Sequence, residues 1–524
     1  MSFIKLSLLA VMLCAYLGRT NVIAGESARA EDFTATSDVP HEAIILDRGL
    51  SALELRLLMI ERARKSIEVE YFIYDTDPSA RLFTQALIRK AHEGVKVRVL
   101  LDYFLIKPEI DPFIVKVLEQ QGIEVKFYNT ASMLRLVKYQ YRTHRKLLAV
   151  DGQEAITGGR NIADEYFDLK KDFNFVDKDL YIKGPIVEKI VSTFEAFWNH
   201  SLSVKIKTPK IPEINDLKYS SGLGPVDEFK DMTTANEFSQ PAWGDDIGHY
   251  DRILGRGIRG FEKDFDKWEK KLRRAVDFVT ENDQDRDLLQ KIHLVGGQLL
   301  DAESIGTCNK VTFTADAPGW GRKSRKGKFL PRMIYKLISQ AKKHVTIDSP
   351  YFITESDSRK ALKQAFKNKA KVTLLTNSLY STDAIYVNAV LNSILGYWLK
   401  KGLDAYIFQG SLPEGYITLN EEIHGARWGT HVKSYIFDDD SFVVGTFNFD
   451  PRSSRYNSEM AILCENSPEL TQKMQAEFNL KLTRAHHIKN RKDLNKYKFN
   501  QIGVGKGILY YLMKPFALLF RGLL

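Results

Sequence analysis

Cysteine is scarce: Cys14, Cys308 and Cys464 are the only three in 524 residues. So few, so widely spaced, form neither a disulfide framework nor a tetrahedral zinc site, so the chemistry must rest on other side chains. Acids are outnumbered by bases, 66 to 76, and the resulting charge of +10 favours an anionic partner, either phospholipid head groups or nucleic acid. Long apolar runs are also missing; Leu6–Leu17 is short for a spanning helix of about 20 residues. With 44% hydrophobic residues, 33 Gly and 16 Pro, the composition excludes collagen-like, low-complexity and largely disordered chains. The length exceeds one compact core and implies several domains.

The amino terminus is expected to be an address. Lys5, the apolar run and Val22-Ile23-Ala24 have the order of a secretory signal over residues 1–24, with an uncleaved anchor as the alternative. Either would put the body outside the cytoplasm. Lipidation at Cys14 is disfavoured because the bulky Leu13 precedes it. Removing 1–24 takes away Lys5 and Arg19 and no acid, so the net charge would fall to +8. Residues 25–45, with Thr34, Thr36, Ser37, Asp38 and Pro40, read as a polar linker.

What is present, and present twice, is a motif. His144, Lys146, Asp151, Gly158 and Asn161 are answered by His431, Lys433, Asp438, Gly445 and Asn448, each displaced by 287 positions. Chance expectation for one such string is on the order of 10⁻⁴, so two in register mark a duplicated half-site. The flanks repeat too. Strand-like segments at 67–73, 95–101 and 123–128 correspond to 345–353, 372–375 and 403–408, with helical stretches near 79–92 and 357–369 between them. Gly122 and Gly402 punctuate matching helix-to-strand joins. The chain is therefore expected to be α/β, with similar domains at 46–205 and 310–490 and an insertion or linker over 206–309. Within each motif, two short strands turn at Asp151 or Asp438. His and Lys two residues apart then share a face, and the return strand brings the Asn near.

The doubled H-x-K-x4-D-x6-G-x-x-N pattern (motif segments 138–165 and 425–452) resembles the phospholipase D superfamily. The strings Gly158–Asp164, Thr376–Leu379 with Thr382-Asp383, and Asn448–Ser453 look most like its bacterial cardiolipin synthase C-type branch. The resemblance implies two mixed sheets flanked by helices and one active site at the domain interface, working without cofactor or metal. Lys146, Lys433, Asn161 and Asn448 would hold a phosphodiester. One histidine would form a phosphohistidine while the other protonates the leaving alcohol. By this analogy His144 is the nucleophile and His431 the acid/base, with the reverse order left open. Each histidine needs an orienting carboxylate. Glu459 fits in the second half; in the first, Asp179 aligns with it, although Asp179 follows Asn161 by 18 residues and Glu459 follows Asn448 by 11, which leaves Asp172 and Asp177 open. Asp151 and Asp438 are assigned to the turns. The implied reaction is phosphatidyl transfer between phospholipids, with hydrolysis to phosphatidic acid or a nuclease activity as alternatives.

The carboxyl terminus favours a membrane over nucleic acid. Between Gly503 and Leu524 the only charges, Lys506, Lys514 and Arg521, fall on one arc of a helix that is otherwise apolar, so 503–524 is expected to lie in the interface of an anionic membrane, with a core helix packed on the body, and then a spanning helix kinked at Pro515, as alternatives. No obligatory protein partner is implied. Lys323–Lys328 reads as a flexible basic loop and Arg484–Lys492 as a solvated or membrane-facing patch.

Overall fold

The computed structural model describes residues 29–104, 110–211, 258–303, 305–497 and 501–523. The expected signal segment 1–24, with Cys14, lies outside them. Two nine-stranded mixed sheets dominate. In the first, the spatial order is Ser203–Val204, Ile123–Tyr128, Lys96–Asp102, Ser66–Tyr71, Leu147–Val150, Glu154–Gly158, Asp179–Lys183, His41–Leu46 and Gly306–Cys308. The second runs Thr34–Ser37, Lys310–Ala315, Met460–Glu465, Ser441–Gly445, Ser434–Phe437, His344–Asp348, Lys371–Asn377, Asp404–Phe408 and Ala485–Ile488.

Strand alternation explains the layering. Leu147 and Ala149 face a core shared with Phe313, Ile436, Val444 and Ile462 of the other sheet, whereas Leu148 and Val150 face helices on the outside. The second sheet behaves likewise, with Tyr435 and Phe437 turned outward. The result is outer helices, sheet, shared middle layer, sheet, outer helices: the seam of the repeat is buried in the middle, where the helices Ile186–Trp198 and Pro468–Leu482 add side chains to the core shared by both sheets. Gly122 (φ +85°) and Gly402 (φ +98°) take left-handed conformations at the helix-to-strand joins.

The two halves exchange edges. Thr34–Ser37, expected to be linker, instead pairs antiparallel with Lys310–Ala315 of the second sheet, and Thr36 and Thr312 share a hydroxyl hydrogen bond of 2.9 Å. Polar composition hid a strand whose side chains are mostly half-buried at a sheet edge. Reciprocally, Gly306–Cys308 joins the first sheet against His41–Leu46. A Cys308–Cys464 disulfide then ties that edge to the strand Met460–Glu465 of the second sheet. Between the halves, the helix Ile258–Val279 is no mere linker: Trp268, Leu272, Ala275 and Val276 pack into the first half's outer core. Arg322–Lys326, expected as loop, is a short helix, and Lys328 pairs with buried Asp316 at 3.3 Å. In the other basic run, Ala485–Ile488 is an edge strand, with His486 stacked on Tyr497 at 3.8 Å and His487 on Tyr406 at 4.5 Å.

The last helix, Val504–Leu519, packs on Ile385–Leu399 through Tyr510 and Ala517. Among the described residues no helix is long and apolar enough to cross a membrane.

Candidate active site

His144 and His431 each stand just ahead of the first strand of a β-hairpin, and both line one cavity of about 200 Å³ between the halves. Asn161 and Asn448, at the far ends of the return strands, line it too. The hairpins are fixed by their aspartates. Asp151 (φ +54°) accepts the backbone N–H groups of Arg64, Lys65 and Ser66, and Asp438 (φ +50°) those of Lys342, Lys343 and His344. Neither aspartate lines the cavity.

The carboxylates cross over. His144 Nδ1 lies 2.9 Å from Glu459 Oε2, a residue of the second half, and His431 Nδ1 lies 2.6 Å from Asp177 Oδ2, a residue of the first. The backbone crosses with them: His144 N–H donates to the Ser458 carbonyl at 2.9 Å, and His431 N–H to the Val176 carbonyl at 2.8 Å. Arg427–Thr430 and Phe173–Val176 form a small parallel sheet across the seam. With Nδ1 engaged, Nε2 is the ring nitrogen left for a substrate.

Asp179 is therefore not the partner of a histidine. It lies 2.8 Å from Arg56 Nη2 and 3.2 Å from Arg160 Nη1, and although burial opposes it, these two guanidinium groups hold its carboxyl below the usual range. The reason is register. Gly158 pairs with Asp179 and Gly445 with Ala461, so the counterpart of Glu459 is Asp177, two residues earlier. Positions i and i+2 share a strand face, and an acid stands at both. A Cβ on Gly159 would come within 2.0 Å of Asp177 Oδ1, so glycine is required there; in the second half Thr446 fills that place and its hydroxyl donates to Glu459 at 2.5 Å. Asp172, the remaining alternative, contributes its carbonyl to Arg427 N–H at 3.2 Å.

Lys146 Nζ donates to the His144 carbonyl at 2.8 Å; Lys433 Nζ bonds the His431 carbonyl and lies 2.9 Å from His431 Nδ1. Burial pushes the Lys146 ammonium down to about 7 and that of Lys433 to about 8. Burial, with both lysines adding repulsion, holds His144 well below its ordinary value; His431 is lowered by burial and Lys433, with Asp177 pulling the other way. Glu459 is raised to about 7 by burial, which Lys146 partly offsets. A bound phosphodiester would place negative charge beside the lysines and favour their protonated forms.

Residues without an assigned role in the sequence complete the site. Thr143 is clamped by Asp102 (N–H to Oδ2, 2.8 Å) and Glu70 (Oγ1 to Oε1, 2.6 Å); Thr430 is clamped by Asn377 through its N–H (2.9 Å) and its carbonyl (2.8 Å). The signal was available, since Thr143 and Thr430 share the 287-residue offset. Phe72 packs edge-on against His144 at 5.0 Å, and Tyr166 against His431 at 5.2 Å. Arg452 and Asp383 also line the cavity: Arg452 donates to Gln140 at 3.1 Å, and Asp383 accepts the Tyr351 hydroxyl at 3.0 Å. Among the described residues no cluster of three or more His, Cys, Asp or Glu could hold a metal ion.

The family described as "Cardiolipin synthase, PLD-like domain" matches residues 57–198 and 334–481. An uncharacterized protein of Helicobacter pylori (strain ATCC 700392 / 26695) is 30% identical over 440 residues, 81% of this chain and 76% of that protein. Cardiolipin synthase C of Escherichia coli K12 is 27% identical over 442 residues, 80% of each chain. Among solved structures, a phosphatidylserine synthase of Haemophilus influenzae Rd KW20 superimposes with a TM-score of 0.55 at 14% identity, covering 93% of this chain and 97% of that one, a likeness of fold.

Proposed function

The chain belongs to the cardiolipin synthase, phospholipase D-like domain family, and from that premise we propose that it transfers phosphatidyl groups between glycerophospholipids, forming cardiolipin or a close analogue. It is an enzyme of the phospholipase D superfamily. One observation carries the reading: two imidazoles on a single cavity, each oriented through Nδ1 by a carboxylate from the opposite half. In the proposed cycle His144 Nε2 attacks phosphorus, the P–O bond to the head-group alcohol breaks, and that oxygen takes the proton of His431. The acceptor hydroxyl then returns a proton to His431 as its oxygen attacks phosphorus and the P–N bond breaks. The division of labour is supported by the surroundings. Burial and both lysines hold His144 well below its ordinary value, while at His431, which burial and Lys433 also lower, the Asp177 carboxylate pulls toward the protonated form. Lys146, Lys433, Asn161 and Asn448 would stabilise the charge on the equatorial oxygens. Water in place of the lipid alcohol would give hydrolysis instead.

The same reading has the body working outside the cytoplasm at an anionic membrane, on the periplasmic face of the inner membrane or in the cell envelope. The Cys308–Cys464 disulfide is consistent with an oxidising compartment. The test is to incubate the purified protein with labelled phosphatidylglycerol, with and without phosphatidylethanolamine, and to resolve the lipids. Cardiolipin formed by the wild type and abolished in His144→Ala and in His431→Ala is the expected result. Phosphatidic acid alone would make it a hydrolase, and plasmid cleavage with inert lipids a nuclease.

A further inference from the structure

The segment that follows the last helix reaches the active site: Leu523 lines the same cavity as His144 and His431. The helix leading to it, Val504–Leu519, has two unlike faces. Tyr510, Met513 and Ala517 are buried, and Lys506 turns inward to the Tyr380 and Thr382 carbonyls at 3.3 and 3.4 Å. The expected basic arc thus begins on the side facing the body. The opposite face is wholly apolar: Val504 is 81% exposed, Leu512 64% and Leu519 71%, with Ile508, Tyr511 and Phe516 beside them. Six large apolar side chains on one exposed stripe are unusual for a surface left to water.

Along this helix runs a groove of about 640 Å³ whose lining includes Lys400, Lys489, Arg491 and Lys514. Among the described residues no ion pair engages these four. The nearby Asp493 carboxylate is occupied by the backbone N–H groups of Lys489 and Asn490. An apolar face flanked by unpaired cations matches the chemistry of a bilayer boundary, where apolar groups enter and cations meet lipid phosphates.

We propose that this surface seats the enzyme on an anionic phospholipid bilayer: the outer face of the helix enters the head-group boundary, the basic groove takes lipid phosphates, and Leu523 marks where the catalytic cavity meets the membrane. The inference rests on the proposed phospholipid substrate, which must leave a bilayer to reach His144.

The test is flotation of the full chain with phosphatidylcholine vesicles and with mixed phosphatidylcholine and phosphatidylglycerol vesicles. Alongside it, turnover is measured on short-chain, monomerically dissolved phosphatidylglycerol. Wild type should float with the mixed vesicles. Ile508→Asp/Leu512→Asp/Leu519→Asp should lose at least about tenfold in partitioning. Lys489→Glu/Lys514→Glu should lose the preference for anionic vesicles and its salt dependence. Both variants should turn over the soluble lipid as wild type does. Unchanged flotation in both variants would overturn the proposal, as would a wild-type dimer that the apolar variant splits without altering flotation, since a second copy would then cover the face. Absence of soluble turnover in wild type would count against the proposed reaction, while flotation still decides the docking surface.

Discussion

The two histidine sites are built from the same repeat and differ in their carboxylates. His431 is held by an aspartate at 2.6 Å, in a half where glycine clears the space beside it; His144 is held by a glutamate at 2.9 Å that also accepts from the Thr446 hydroxyl and whose protonation lies near neutral pH. A duplicated motif thus yields two histidines that burial pushes below the ordinary value, His144 well below it and His431 with Asp177 pulling the other way, an asymmetry that suits the proposed nucleophile and acid. Because each carboxylate crosses the seam, neither half holds an oriented histidine alone.

The comparison breaks most readily at Asp177. Asp177→Asn should lower kcat about 10³-fold with the fold intact by circular dichroism, the size expected when a general acid loses its orienting charge. Asp179→Asn tests the register from the other side. It leaves Arg56 and Arg160 poorly paired and should cost about 3–5 kcal/mol in denaturant unfolding, with residual activity following the folded fraction. Were Asp179→Asn to retain stability and lose kcat as Asp177→Asn does, the pairing drawn here would be wrong.

Glu459→Gln sharpens the contrast. A loss of about 10–100-fold is expected, smaller than at Asp177. In wild type, Glu459 takes up a proton as pH falls through about 7, releasing its hold on His144; that part of the acid limb of kcat/KM should disappear in Glu459→Gln. Smallest is a stability effect at Lys146. Its folded pKa, about 7, lies below the ordinary 10.5, so the unfolded chain binds more protons between those values. Stability therefore rises as pH increases from about 7 to about 10. Lys146→Met should flatten that slope and raise Tm at pH 7 by about 2–4 °C, while abolishing turnover.

The motif was legible because it is local. Hairpin turn, His-x-Lys spacing and strand alternation all lie within a few residues, and duplication at one offset removed coincidence. Asp177 was legible only as an alternative to Asp179, because a two-residue slip along a strand preserves both face and charge, and only the pairing of Gly158 with Asp179 distinguishes the two acids. The crossing of the carboxylates left no trace either, since the halves read alike from sequence. Thr34–Ser37 was missed because an edge strand can be polar, and the helix Val504–Leu519 was read by its charges, although Lys506 faces inward.

The most direct test is to trap the intermediate. A phosphatidyl ester of p-nitrophenol has a leaving group that needs no proton, so His431→Ala should release p-nitrophenol in a burst and then stall for want of a base. Alkaline quench and peptide mass spectrometry should find the phosphatidyl group on His144. A burst with no adduct on either histidine, or no release at all, would contradict the covalent route through a shared, crossed site; an adduct on His431 in His144→Ala, with none on His144 in His431→Ala, would reverse the two roles.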